Sequence, residues 1–204
     1  MATTHAMVGM TLALPLVAVA PELVPVVALF GLIGGVFPDL DLYTNHRKTL
    51  HYPVYYSIAA VIALFAAIVL TGPVSVAVAA FFTAAALHAV MDAFGGGLEL
   101  KPWQATSNRA VFDHYHGRWI EPRRWIRYDG APEDLALTVV LGVPLVFVFE
   151  GLFSNIVIAL LAISVLYAIV RKPLIVLSEA IAPMLPASLR PYITEKYDVN
   201  PMDD

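Results

Sequence analysis

Cysteine is absent from the 204 residues, which excludes a disulfide framework and any thiolate metal site. Charge is scarce too. Asp, Glu, Lys and Arg make up 14% of the chain, against roughly 25% in an average soluble domain. Hydrophobic residues fill the gap, at 59% with a mean hydropathy of +0.75. Long windows without charge argue against the alternative of a buried soluble core and point to a polytopic membrane protein. The opening MATTHAMVGMTLALPLVAVA has no Lys or Arg, and another apolar run follows at once. It reads as a retained first helix, not as a cleaved signal.

Hydropathy predicts an all-α bundle of about six antiparallel helices, at 5–20, 22–37, 53–70, 73–94, 134–150 and 154–171. The first two, at roughly 16 residues, are shorter than the ~20 that usually cross a bilayer. A re-entrant hairpin, with four full spans, is the alternative. The predicted organisation is a four-helix membrane core over 1–94 and an interfacial polar segment over 95–133. A helical hairpin over 134–171 follows, then an interfacial helix and polar tail over 172–204.

The connections alternate in character. PEL, TGP and EGLFSN are short and carry no Lys or Arg. All twelve basic residues fall on the other side of an up-down bundle: Arg47, Lys48, Lys101, Arg109, Arg118, Arg123, Arg124, Arg127, Arg171, Lys172, Arg190 and Lys196. The positive-inside rule then places that side, with both termini, in the cytoplasm of an inner-membrane protein.

The polar residues that remain are concentrated. FPDLDLYTNHRKTLHY, at 37–52, sets two aspartates, two histidines and an arginine between apolar runs. His5 opens the first helix, Asp39 and Asp41 follow the second after Pro38, and His46 and His51 precede the third. His88 and Asp92 lie four residues apart near the end of the fourth, on one helical face. Each element alone has an ordinary reading: an exposed His5, an Asx turn at Asp39 and Asp41, a basic anchor at 46–48, a structural His88–Asp92 bond. Four helix ends sharing one face of an antiparallel bundle make a metal cluster of His5, Asp39, Asp41, His51, His88 and Asp92 the stronger reading. Imidazole and carboxylate ligands without sulfur suit zinc, with manganese or iron as alternatives. Six candidate ligands leave room for one ion or two. Arg47 can hold a phosphate or carboxylate bidentately and is a catalytic candidate with His46, which in the loop can face solvent or sit beside the ligands.

These motifs resemble the YdjM-like family of small inner-membrane proteins, named for an inferred metal-dependent hydrolase activity and in some cases for LexA binding. The matching residues are Thr4-His5, Pro38-Asp39-Leu40-Asp41, His46-Arg47-Lys48-Thr49-Leu50-His51 and His88-Ala89-Val90-Met91-Asp92, within about residues 1–102. The chain departs from the family pattern at Lys48, Leu50 and Tyr52, where Gly, Thr and Ser are usual. The resemblance implies a metal site more than it identifies a reaction.

Residues 104–133 add His114, His116, five arginines and two tryptophans. Arg123, Arg124 and Trp125 read as an interfacial anchor. His114 and His116 become an acid and base, or further ligands, if this segment folds over the helix ends as a lid. Nucleic acid is not expected, since no recognised module accompanies the arginines. The leading expectation is a membrane metal-dependent hydrolase acting on a phosphate-bearing or ester lipid. A metal-ion transporter or sensor, and a membrane scaffold for a cytoplasmic protein partner, are the alternatives.

Overall fold

The computed structural model describes residues 1–184 and Pro186. Among these the chain forms a helical bundle. Its helices are α1 (Ala2–Thr11), α2 (Leu16–Val19), α3 (Val24–Val36), α4 (Pro53–Leu70), α5 (Pro73–Met91), α6 (Pro132–Val148) and α7 (Gly151–Ile181). Proline starts α4, α5 and α6, where its missing N–H is one the first helical turn leaves unpaired anyway.

Five stretches are long and apolar enough to cross a membrane: Ala2–Val19, Pro21–Leu42, Pro53–Leu70, Pro73–Phe94 and Gly151–Met184. The first two reach that length because helical structure carries past the expected ends. Helix α3 itself does end just before Pro38, but helical structure does not. The chain tightens there into a 3₁₀ helix, Phe37–Tyr43, because Pro38 has no N–H for the i→i−4 ladder. The expected span at 134–150 is the 17-residue α6, which has Pro144 inside and falls short of the five.

Helix α7 corrects a second expectation. It does not end at Arg171 but runs through Pro173 for 31 residues, about 46 Å at 1.5 Å per residue. That exceeds a hydrocarbon core of about 30 Å, so the boundary between 171 and 172 is not a structural one. Its last turns flank the 95–131 segment, through Lys101 with Glu179 and Arg171 to the Leu100 carbonyl. The polar tail, with Arg190, Lys196 and the C-terminus, lies outside the described residues.

The third correction is a short hairpin where no strand was expected. β1 (Val111–Asp113) pairs antiparallel with β2 (Arg118–Ile120), in the register Val111↔Ile120, Phe112↔Trp119 and Asp113↔Arg118. Gly117, at φ +64°, makes the turn. Strands of three residues are too short for hydropathy to register.

Small residues decide how closely the inner helices approach. Helix α1 packs on α3, α5, α6 and α7, while α5 packs on α3 and α4. A Cβ at Gly9 would lie 1.9 Å from the Gly31 carbonyl oxygen, and one at Gly35 would lie 2.4 Å from that of His5. Glycine is therefore required for α1 and α3 to touch backbone to backbone, the usual device where helices pack within lipid. Beyond this contact lies an apolar core of Met7, Met10, Val27, Ala28, Leu145 and Val157. The glycine seam sets His5 beside Gly35, and α5 brings His88 to the same place.

Candidate metal centre

Four elements supply the cluster. His5 lies on α1, Asp39 and Asp41 on the 3₁₀ turn, His46 and His51 on the loop before α4, and His88 with Asp92 at the end of α5. Their ligand atoms fall into three overlapping groups, each within 4.8 Å: His5, Asp39 and His88; Asp39, His46 and His51; His51, His88 and Asp92. The rings of His5 and His88 are 3.9 Å apart. All but Asp39 and His46 are buried.

Asp41 is central to the arrangement, though not in the role expected from sequence. Oδ1 accepts from His46 Nδ1 at 2.9 Å, and Oδ2 from His51 Nδ1 at 2.9 Å and the Leu50 N–H at 3.1 Å. Both oxygens are thus engaged, and Asp41 belongs to none of the three groups. It is an orienting carboxylate, which fixes the tautomer of two imidazoles by holding Nδ1–H. The Gly35 carbonyl does the same for His88, accepting from Nδ1 at 2.6 Å.

Those bonds leave acceptors facing acceptors. With Nδ1 protonated, Nε2 of His51 and Nε2 of His88 both carry lone pairs, yet they lie 3.2 Å apart. Asp92 Oδ2 lies 3.1 Å from the first and 3.6 Å from the second, and Asp39 Oδ1 is 3.4 Å from His88 Nε2. Four acceptor atoms in one place repel unless a metal ion or an added proton sits among them. Donor atoms of a tetrahedral zinc, with bonds of about 2.0–2.1 Å, are about 3.3 Å apart. Separations of 3.1–3.6 Å are close to that, while Asp39 Oδ1 lies farther from His51 Nε2, at 3.8 Å. The buried atoms without a hydrogen-bond partner include both ring nitrogens of His5 and Asp92 Oδ2, so the donor set fits a metal ion. Without a metal, a proton takes that place on His51: burial lowers its pKa, but hydrogen bonds from the charged ring to Asp41 and Asp92 outweigh that and raise it.

Arg47 is a clamp on this site rather than a free anion binder. It sits at φ 60°, uncommon for a residue with a Cβ. Its guanidinium donates to the Gly96 carbonyl at 2.7 Å and lies 3.6 Å from Asp92 and 3.8 Å from Asp129. With its donors turned to the protein, it is poorly placed to grip a substrate phosphate bidentately.

The 95–131 segment does fold against the helix ends, with Arg123 and Arg124 N–H groups bonded to the Ala93 and Gly95 carbonyls. It does not bring its histidines to the cluster. His114 Nε2 bonds the Lys48 carbonyl at 2.6 Å, and its ring stacks on Tyr52. His116 is half exposed and paired with Asp113 at 2.6 Å. Each is spent on shaping the hairpin and its anchorage to the 46–51 loop. Sequence reasoning missed Asp129, which meets Arg47, and Asp134, which accepts from Thr4 Oγ1 at 2.6 Å and the Gly130 N–H at 2.8 Å. The sign available for Asp134 was an acid in the first turn of an apolar helix, which reads equally well as an ordinary helix-start charge.

In comparisons with known proteins, no family model, no curated protein and no solved structure matches the chain.

Proposed function

We propose that this protein is an integral-membrane metal-dependent hydrolase, working at the cytoplasmic face on an ester or phosphate-bearing lipid. The observation that carries the reading is the convergence of His51, His88, Asp92 and Asp39 acceptors on one place. His5 completes the donor set. Zinc suits these ligands best, with manganese or iron as alternatives. One ion or two can be held, since the His46-containing group adjoins the first through Asp39 and His51. The motif resemblance to the YdjM-like hydrolases agrees with the reading.

A bound divalent cation supplies Lewis acidity and makes water a better nucleophile near neutral pH. The chain's residues do the rest. His46 holds Nδ1–H against Asp41 and keeps the lone pair on Nε2. It is partly exposed and lines the adjoining cavity, so it can exchange protons with a substrate as no buried member can. In the hydrolysis, water oxygen bonds to the acyl carbon or phosphorus while the bond to the leaving oxygen breaks. His46 Nε2 takes the proton from water and returns it to that leaving oxygen. Asp41 keeps the imidazole in the tautomer this requires. Arg47 positions Asp92.

A transport path would need polar groups continuing along the bundle. Below the cluster the core of described residues is Met7, Met10, Val27, Leu145 and Val157, which favours the hydrolase.

The test is hydrolysis of a panel of ester and phosphate lipids by detergent-purified protein, metal-stripped and then reloaded with zinc or manganese. Metal-dependent turnover is expected, with His46→Gln lowering it by roughly 10²–10⁴-fold, the usual contribution of an acid–base residue, while the ion held by His51, His88 and Asp92 stays bound. Equal hydrolysis by stripped and reloaded protein, or none by either, would refute the reading.

A further inference from the structure

A cavity of about 300 Å³ adjoins the cluster, between the start of α1, the first turns of α6 and the middle of α7. That is the lower end of the usual range for ligand sites, about 300–1,000 Å³. Asp39 and His46 line one side. These two also belong to the His/Asp groups, so cavity and cluster are continuous. Met1, Asp129 and Asp134 also line it, with the Met1 ammonium 3.2 Å from Asp129 and 3.9 Å from Asp134. The rest of the lining includes Leu42, Leu135, Ile163 and Tyr167.

Polar atoms in the remainder of the wall are already engaged. Thr138 Oγ1 bonds Thr4 Oγ1 and the Asp134 carbonyl, at 2.7 and 2.9 Å. Ser164 Oγ bonds Thr3 Oγ1 and the Leu160 carbonyl, both at 2.8 Å. Apart from the Met1, Asp129 and Asp134 charges, which are paired with one another, what these walls present to an occupant is therefore hydrocarbon. The depth is limited: Asp134 to Thr138 and Ile163 to Tyr167 each cover about one helical turn, roughly 6 Å. One wall is α7, whose neighbouring Leu166 and Ile169 are exposed, as expected of a lipid-facing helix.

We infer that this cavity receives the head-proximal part of the hydrocarbon chain of an amphiphilic substrate, with the reacting polar group at the Asp39–His46 end. The assignment rests on the hydrolase reading for the chemistry at that end. The fit of the chain depends only on the cavity. Water fills such a space poorly once its hydroxyls are paired within the wall, and an alkyl chain loses nothing by burial there. The rest of the chain, too long for one turn of depth, passes out along α7.

The experiment is photo-crosslinking of the full chain in phosphatidylcholine vesicles. The probe is a monoacylglycerol with a diazirine near the ester end of its chain, and labelled peptides are mapped by mass spectrometry. Labelling is expected to concentrate on the peptides of Leu135 and Ile163–Tyr167. Leu135→Trp and Ile163→Trp, which fill the cavity from opposite walls, should each reduce it several-fold at unchanged metal content. Ile62→Trp on the exposed face of α4 should leave it unaltered. Labelling spread equally over α4, or undiminished in both cavity-filling variants, overturns the proposal. Because labelling needs no turnover, the two readings fail separately. Cavity labelling without metal-dependent hydrolysis keeps the cavity and refutes the hydrolase. Hydrolysis of long-chain substrate unchanged in both filled variants refutes the cavity.

Discussion

Asp41→Asn should weaken metal binding by about 10–100-fold without removing any ligand, the usual effect of losing a group that orients a ligating histidine. The carboxylate holds Nδ1–H of His46 and of His51 together, each at 2.9 Å. An amide has one acceptor oxygen, so one of the two imidazoles loses its partner and can turn over. The amide N–H₂ can also face a ring nitrogen, which stabilises the wrong tautomer and protonates Nε2. Competition against a chromophoric chelator would measure the change. If Asp41 were itself a ligand, Asp41→Ala and Asp39→Ala would behave alike. Here Asp39→Ala should be the more damaging, since Asp39 Oδ1 faces His88 Nε2 at 3.4 Å. Equal losses would restore Asp41 to the ligand set.

The largest effect on folding is expected at the glycine seam. Gly31→Ala puts a methyl group 2.1 Å from the Gly9 carbonyl oxygen. Overpacking a core typically costs about 1–3 kcal/mol and at times more. The obstacle here is backbone, which cannot rotate away as a side chain would, so a loss of about 3 kcal/mol or more is expected. Gly72→Ala is the comparison. Its Cβ would meet nothing nearer than 3.7 Å, and a change within about 0.5 kcal/mol is expected there. Thermal unfolding in detergent distinguishes the two. Gly31→Ala should also lower metal affinity, because α1 carries His5 and can no longer rest against α3. Equal stability of the two variants would mean that the seam is not what holds the helix ends together.

Much of this was readable in the chain because lipid makes composition informative. Apolar runs can hide few charges, so His5, Asp39, His51, His88 and Asp92 stood out, and an antiparallel bundle has only two ends at which to put them. The i,i+4 spacing of His88 and Asp92 was enough to set both on one face. Three features were not readable. Asp39 and Asp41 are the same residue type two positions apart, and only the loop from Thr44 to His51 decides which one faces inward. Arg47 looks like a surface cation by sequence, but a left-handed turn folds it under Gly96 and Ala110. Helix α7 passes the basic pair Arg171–Lys172 because the two find partners beside the helix. Lys172 lies over Trp103 and Tyr128, and Arg171 reaches the Leu100 carbonyl. Hydropathy cannot see such contacts, as they depend on residues about 40–70 positions away. The same limit hid the hairpin, whose stability comes from packing on the 46–51 loop and not from strand length.

The hydrolase reading stands on a divalent metal held by the cluster. Elemental analysis of detergent-purified protein, expressed without added metal chelators, addresses it most directly when wild type is run beside His51→Ala/His88→Ala. That pair removes the two Nε2 atoms now 3.2 Å apart. The expected result is one or two equivalents of a transition metal, zinc foremost, in wild type and little in the double variant of equal monodispersity. Wild type with no more metal than the double variant would contradict the account, and would leave the buried histidines and carboxylates as a proton-linked network.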